Sequence, residues 1–319
     1  MPTIAIGLEK AIVSSDILKQ IETLCPDYRI LVSRDRADFE KHFEDIEIAA
    51  ANMLRPMLHE MPKLRWFQQW GAGADWLQTD QNMRENDVIL TNASGVHPVQ
   101  ISEHVFAMLL AFARQLPKSL KAQSEHEWIK FSHDEVFELA DKTMLIMGVG
   151  AIGERIVNLA NAFGMQVIGM KRHPEKMEGV TKMVGPEALH EVLPEADVVV
   201  LTIPYTQETK NFIGKKELEL MKDSACLINI GRGGTIDEAA LLAALNQGKF
   251  RGVGLDVFEE EPLPESSAFW EQERVMITPH YSGLSPRYHE RAFEIFLENL
   301  RRYSAGEALI NVVDKQLGY

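Results

Sequence analysis

Apolar positions along the chain fall into two successive series of short runs, separated by segments with helical spacing. In the first series, residues 3–7 (TIAIG), 46–51 (IEIAAA), 64–70 (LRWFQQW) and 88–92 (VILTN) read as strands. Strands alternating with helical segments imply a mostly parallel sheet with helices on its faces. A long helix is predicted from Pro98, because Ile101, Val105, Met108, Leu109 and Phe112 recur at i, i+4, i+7, i+8 and i+11 as one stripe. Pro117 is expected to bend or end it. Residues 124–141 are polar with weak periodicity and read as connection. The second series, from Lys142, is more regular. Residues 142–148, 165–170, 196–204, 225–231, 252–258 and 274–280 are continuous apolar runs, as in strands buried on both faces. A helix is predicted over 237–247 with Gly248 as its stop. A last one is predicted after Ser285 (N-cap) and Pro286 (first position), ending at Gly306. Its apolar face is Tyr288, Ala292, Ile295, Phe296, Leu300 and Tyr303, and it is expected to return to the first domain.

The length of 319 residues suits two domains. Thirty-three Lys and Arg against 47 Asp and Glu leave a net charge of −14, and no long basic run interrupts it. Such a surface repels phosphate backbones and anionic lipid, so neither nucleic acid nor membrane is expected as a partner. The two cysteines, Cys25 and Cys226, are far apart and in no metal-binding arrangement, so no metal is expected. No apolar run approaches the ~20 residues that span a bilayer, and the amino terminus lacks the basic region of a signal peptide. The expected location is the cytoplasm.

Residues Gly148-Val149-Gly150-Ala151-Ile152-Gly153 fit G-x-G-x-x-G between an apolar strand and an amphipathic helix. In that context the first glycine permits a tight turn and the second admits a pyrophosphate to the backbone. The third lets helix and strand pack closely. Free N–H groups around Ala151 and Ile152 form an anion site. A site for NAD usually places a carboxylate about 20 residues on, but the next strand runs into Lys171-Arg172-His173. Two cations there suit a 2′-phosphate, so NADP(H) is favoured over NAD(H). A solvated basic turn is the plainer alternative.

Three further stretches end predicted strands, where open α/β sheets place ligands. They are Asn229-Ile230-Gly231-Arg232-Gly233-Gly234, the run from Leu255 to Pro264, and Thr278-Pro279-His280-Tyr281-Ser282-Gly283. With the glycine motif, their order and spacing resemble the D-isomer-specific 2-hydroxyacid dehydrogenases over nearly the whole chain. The resemblance assigns Arg232, Glu261 and His280 as catalytic groups. Spacing alone does not choose among Glu259, Glu260 and Glu261. A histidine suits proton delivery to a carbonyl oxygen, a carboxylate beside it would orient the imidazolium, and an arginine fork would clamp a carboxylate. The resemblance further implies that Asp256 holds the nicotinamide carboxamide. Ile230, Gly231, Arg232, Ser282 and Gly283, with His280, would line the cofactor, and Thr202 and Pro204 would flank the adenosine side. Ala72 and Gly73 would bind the substrate carboxylate, together with Arg232 and His280. Trp70 and Trp76 would either wall the pocket or belong to the core. Arg287 would either approach the substrate or sit solvated, and His97 is placed at a hinge.

The resulting expectation is α/β with two domains. A smaller flavodoxin-like α/β substrate domain spans 1–97 plus 285–319, and a doubly wound parallel-sheet dinucleotide-binding domain spans 98–284, with the site in the cleft. The activity implied is reduction of a small 2-oxo acid of the glyoxylate or hydroxypyruvate type to the D-2-hydroxy acid. Glu261 disfavours formate oxidation, since formate dehydrogenases of this fold use Gln with His, whereas phosphite oxidation would use the same residues. The chain ends too soon for an added regulatory domain. A non-catalytic NAD(P)-sensing interaction protein of the corepressor type is the alternative on the same fold. The strong apolarity of the helix after Pro98 predicts a homodimer through the cofactor domain.

Overall fold

The computed structural model describes residues 1–318; Tyr319, the last residue of the expected 285–319 segment, lies outside them. The chain divides into two compact units, Met1–Val96 with the stretch from Ser285 onward, and His97–Leu284.

The first unit holds strands β1 (Thr3–Ile6), β2 (Arg29–Val32), β3 (Ile46–Ala50), β4 (Trp66–Gln68) and β5 (Ile89–Thr91) in the order β2-β1-β3-β4-β5. Every pairing is parallel, and this is the flavodoxin-like order expected. β2 went unpredicted: it is an edge strand whose four residues are all only partly buried, so its hydrophobic signal is faint. Apolar cores cover both faces, one around Ile4, Ile48, Trp66 and Phe296, the other around Phe39, Leu54 and Phe67. The helix Tyr288–Ala305 belongs to the former. It begins later than its sequence signals suggest, with Arg287 as N-cap. Ser285 Oγ instead accepts from Arg287 N at 3.1 Å, holding a turn in front of the helix. Gly306 ends it in the left-handed region, φ 68°. At the carboxyl end of β4, Gln68 Oε1 accepts from Thr91 Oγ1 at 2.7 Å and Asn299 Nδ2 at 3.1 Å, while Trp66 Nε1 donates to Thr91 Oγ1 at 2.7 Å. This satisfied buried network ties β4, β5 and the helix together beneath the loop that follows β4.

The second unit holds β6 (Thr143–Met147), β7 (Gln166–Met170), β8 (Lys182–Val184), β9 (Val198–Leu201), β10 (Cys226–Asn229), β11 (Gly252–Leu255) and β12 (Val275–Ile277). Their order, β12-β11-β10-β9-β6-β7-β8, is doubly wound and reverses between β6 and β9, which pair in parallel with Met147 opposite Leu201. β8 is a second unpredicted edge strand, of three residues. Ile101, Val105, Phe106, Met108, Leu109 and Phe112 of the helix Pro98–Ala113 are buried in the unit's own core with Ile146, Ile156 and Ile228. The apolarity of that helix is therefore accounted for within the chain. Pro117 does not end it: the helix stops at Ala113, Gln115 turns left-handed (φ 55°), and Pro117 lies in the first turn of a new helix, Leu116–Ser124. Its missing N–H costs nothing there.

Candidate active site

At the switch point β6 runs into Gly148, whose φ of 102° favours glycine and whose added Cβ would lie 2.7 Å from Thr202 Oγ1. Thr202 holds the turn from the neighbouring strand end, its N donating to Met147 O at 2.9 Å and its hydroxyl to Gly148 O. Gly150 is the N-cap of the helix Ala151–Ala162, with no side chain capping its N–H groups. A Cβ on Gly153 would collide with Gly148 O, whereas one on Gly150 would meet nothing within 4 Å. Packing thus requires glycine at 148 and 153. At 150 the open space lies over an uncapped helix start, which fits a pyrophosphate. Lys171 and Arg172 are exposed beyond β7, where Arg172 Nη2 pairs with Glu208 Oε2 at 2.5 Å. Pro204 is exposed and its carbonyl accepts from Thr209 Oγ1 at 2.7 Å.

Arg232 follows β10 at the start of a 3-10 turn, Gly233–Thr235. Asn229 Nδ2 and Thr235 Oγ1 donate to its carbonyl at 3.0 and 2.6 Å, and its own Nη1 donates to Gly231 O at 2.7 Å. Ile230 is buried and donates through N to Leu201 O at 3.2 Å. A Cβ on Gly233 would overlap the backbone of Phe258 and Glu259, so the arginine turn lies directly on the segment leading to Glu261. Glu261 Oε1 accepts from Phe258 N at 2.9 Å, and Oε2 lies 2.6 Å from His280 Nδ1. Among the three glutamates, Glu261 is the one paired with the imidazole. The pair is half-exposed, with 48% of the histidine and 33% of the glutamate side chain accessible.

Behind His280 (φ 49°) the backbone is locked to Asp256, whose carbonyl accepts from His280 N at 2.9 Å. The Asp256 side chain is fully buried and accepts from Thr278 Oγ1 at 2.6 Å and from the N–H groups of Tyr281 and Ser282, both at 3.1 Å. Gly283 O accepts from Gln100 Nε2 at 3.0 Å, and an added Cβ on Gly283 would sit 3.1 Å from the His97 ring.

In the first unit, Ala72 O accepts from Asn92 Nδ2 at 2.8 Å and Gly73 O from Gln69 Nε2 at 2.5 Å, which fixes the backbone of this loop. Trp70 is core, edge-on to Phe293 at 5.0 Å and donating to His289 Nδ1 at 3.2 Å. Trp76 is only partly buried and donates to Gln69 Oε1 at 2.6 Å. Arg287 is exposed and paired with Glu290 at 2.7 Å.

Two residues near the site went unnoticed in the sequence. His104 Nε2 lies 3.1 Å from Thr278 Oγ1, extending the Asp256 cluster, and burial lowers its pKa against an opposing pull from Asp256. Its signal was a lone imidazole beside the apolar stripe of a helix. Glu238, which opens the helix Glu238–Asn246, accepts from Glu259 N at 2.7 Å. Burial first, then repulsion from Glu259 and Glu261, raises its pKa against the pull of that hydrogen bond. Among the described residues no group of His, Cys, Asp and Glu is placed to hold a metal ion.

A doubly wound sheet with a glycine turn at its switch point, and an imidazole–carboxylate pair at neighbouring strand ends, define the class: an NAD(P)-dependent dehydrogenase. The profile described as "D-isomer specific 2-hydroxyacid dehydrogenase, NAD binding domain" matches residues 106–282. A D-3-phosphoglycerate dehydrogenase of Methanocaldococcus jannaschii is 32% identical over 83% of this chain, which spans only 50% of that longer protein. A glyoxylate reductase of Thermococcus litoralis is 35% identical over 82% of this chain and 81% of its own length. Among solved structures, an NADPH-dependent glyoxylate/hydroxypyruvate reductase of Sinorhizobium meliloti, in complex with NADP and sulfate, superposes with a TM-score of 0.84. It shares 29% identity and covers 100% of this chain and 99% of that one. The chain belongs to the D-isomer specific 2-hydroxyacid dehydrogenases.

Proposed function

We propose that the protein reduces a small 2-oxo acid of the glyoxylate or hydroxypyruvate type to the D-2-hydroxy acid, with NADPH preferred over NADH. The observation that carries this reading is the His280–Glu261 contact of 2.6 Å, on the same strand-end framework as Arg232. A bound nicotinamide supplies the hydride for the carbonyl carbon. His280 gives a proton to the carbonyl oxygen; with Nδ1 held by Glu261, Nε2 is the nitrogen left for that transfer. Glu261 fixes the ring and stabilises the charge it carries. Arg232 clamps the substrate carboxylate and polarises the adjacent carbonyl, with the backbone of Ala72 and Gly73 as further donors. Asp256, Ile230, Gly231, Ser282 and Gly283 frame the nicotinamide, and Thr202 and Pro204 the adenosine side. The NADPH preference is supported by the cations Lys171 and Arg172 beyond β7 and by the NADP held in the Sinorhizobium relative.

A homodimer through the second unit is supported by exposed apolar side chains that follow the buried helix, with Trp128 94%, Leu120 65% and Leu116 48% accessible. Two unpaired, buried cysteines accord with a cytoplasmic setting.

The test is the initial rate of NADPH and NADH oxidation against a panel of 2-oxo acids, with His280→Ala alongside. Turnover favouring NADPH, falling by roughly 10²–10⁴-fold in the variant, is expected for loss of a general acid. An NADH preference would overturn the role given to Lys171 and Arg172. Cofactor binding without any turnover would favour a sensing protein instead.

A further inference from the structure

Within the second unit, one partly buried carboxylate has no part in the scheme above. Glu238 is the first residue of the helix Glu238–Asn246, which Asp237 already caps by accepting from Ala240 N at 2.9 Å. The Glu238 side chain turns away from its own helix and accepts from Glu259 N at 2.7 Å, 21 residues further along the chain. Keeping a carboxylate there has a cost. Burial and the charges of Glu259 and Glu261 act against its ionised form, and the bond to Glu259 N offsets them only in part. The helix start is capped without it, so the reason for a carboxylate lies in the segment that it reaches.

That segment carries Glu261. Two successive backbone donors are each met by a carboxylate: Phe258 N donates to Glu261 Oε1 at 2.9 Å, and Glu259 N donates to Glu238. The peptide joining Phe258 to Glu259 is also the one that Gly233 packs against, since a Cβ on Gly233 would overlap it. Gly233 closes one side of this peptide, and Glu238 fixes the direction of its N–H. A peptide group is planar, so fixing that N–H also fixes the plane holding Phe258 Cα, from which Phe258 N is carried. The two oxygens of Glu261 are divided between Phe258 N and His280 Nδ1, the latter at 2.6 Å. A shift of Phe258 N therefore draws the carboxylate with it and away from the imidazole.

We infer that Glu238 is a positioning residue of the reaction, holding the Phe258–Glu259 peptide so that Glu261 meets His280. This rests on the reductase reading above. The experiment compares the intact protein with Glu238→Gln and Glu238→Asp. The amide keeps an acceptor oxygen at the same reach and drops the charge, whereas aspartate keeps the charge and draws the acceptor back by one methylene. On the 2-oxo acid turned over fastest, Glu238→Gln is expected to stay within about threefold of the parent in kcat. Glu238→Asp is expected to lose at least about tenfold in kcat, with KM changed by less than about threefold. The second readout needs no turnover: heteronuclear NMR of the neutral imidazole rings at alkaline pH, with the His280 signals identified by their loss in His280→Ala. With Nδ1 held by Glu261, the neutral ring keeps its proton on Nδ1. That tautomer is expected in the parent and in Glu238→Gln, with a larger share of the Nε2–H form in Glu238→Asp. A kcat lower in Glu238→Gln than in Glu238→Asp would make the charge the operative property, not the bond, and overturns the inference. A His280 tautomer common to the parent and both variants overturns it too, as does a lower melting temperature in Glu238→Asp with kcat intact. Absence of turnover on every 2-oxo acid, with the tautomer still following Glu238, overturns the reductase reading and leaves the positioning role standing.

Discussion

Glu261 does two things to His280: it fixes the ring through a 2.6 Å contact, and it places a negative charge beside it. Glu261→Gln separates these, because the amide keeps the shape and loses the charge. In that variant kcat for reduction is expected to fall by roughly 10²-fold, with KM changed by less than about threefold; equal losses in kcat and binding would make the glutamate a structural prop. His104 is a different kind of titrating group. The single Thr278 hydroxyl proton goes to Asp256 Oδ1, so in the 3.1 Å contact His104 Nε2 must be the donor. Burial holds this imidazole below the ordinary histidine value. The unfolded chain then takes up its proton near pH ~6.5 while the folded chain resists, and stability rises with pH wherever the unfolded state binds more protons. Its contribution is complete above that value and is lost as pH falls towards the lower, folded one. His104→Gln should remove this component. Between about pH 8 and pH 5 the melting temperature of the parent should drop further than that of the variant; parallel curves would refute the assignment.

The glycine turn makes its prediction at the scale of an element. Gly150→Ala puts a methyl into open space, whereas Gly153→Ala drives one into Gly148 O. The first variant should therefore melt like the parent but bind NADPH at least about tenfold more weakly, having filled the space proposed for pyrophosphate. The second should lose stability, as overpacked sites do by about 1–3 kcal/mol. Calorimetry and a cofactor titration read both, and a normal affinity in Gly150→Ala would remove that residue from the cofactor site. The same scale shows what the sequence made legible. Central strands such as β9 and β10 are buried along their whole length, and their unbroken apolar runs announced them. β2 and β8 lie at sheet edges, where partial burial erases the pattern. Site residues divide similarly. Gly148, Gly150 and Gly153 are read from a local motif. The choice of Glu261 over its neighbours depends on a turn that folds its carboxylate back to Phe258 N, which linear spacing does not encode. His104 meets Thr278 across 174 residues of sequence.

At the scale of the whole molecule, a net charge of −14 makes each placed cation count. Under the proposed function, Arg232, Lys171 and Arg172 would meet anionic substrate and cofactor against an unfavourable general field. If the exposed apolar side chains after the Pro98–Ala113 helix close a homodimer, a charge placed there should open it. Trp128→Asp is expected to shift sedimentation from dimer to monomer at micromolar concentration; an unshifted boundary would put the contact elsewhere. One further consequence comes from a missing atom. Gly233 leaves no room for a methyl between the arginine turn and the Phe258–Glu259 backbone, so the turn of Arg232 and the turn of Glu261 are effectively one casting. Gly233→Ala should jam that seam, because its methyl would meet the Phe258–Glu259 backbone. Under the proposed function, a change of preferred acid would then be sought in the loop after β4, while these two turns change only together.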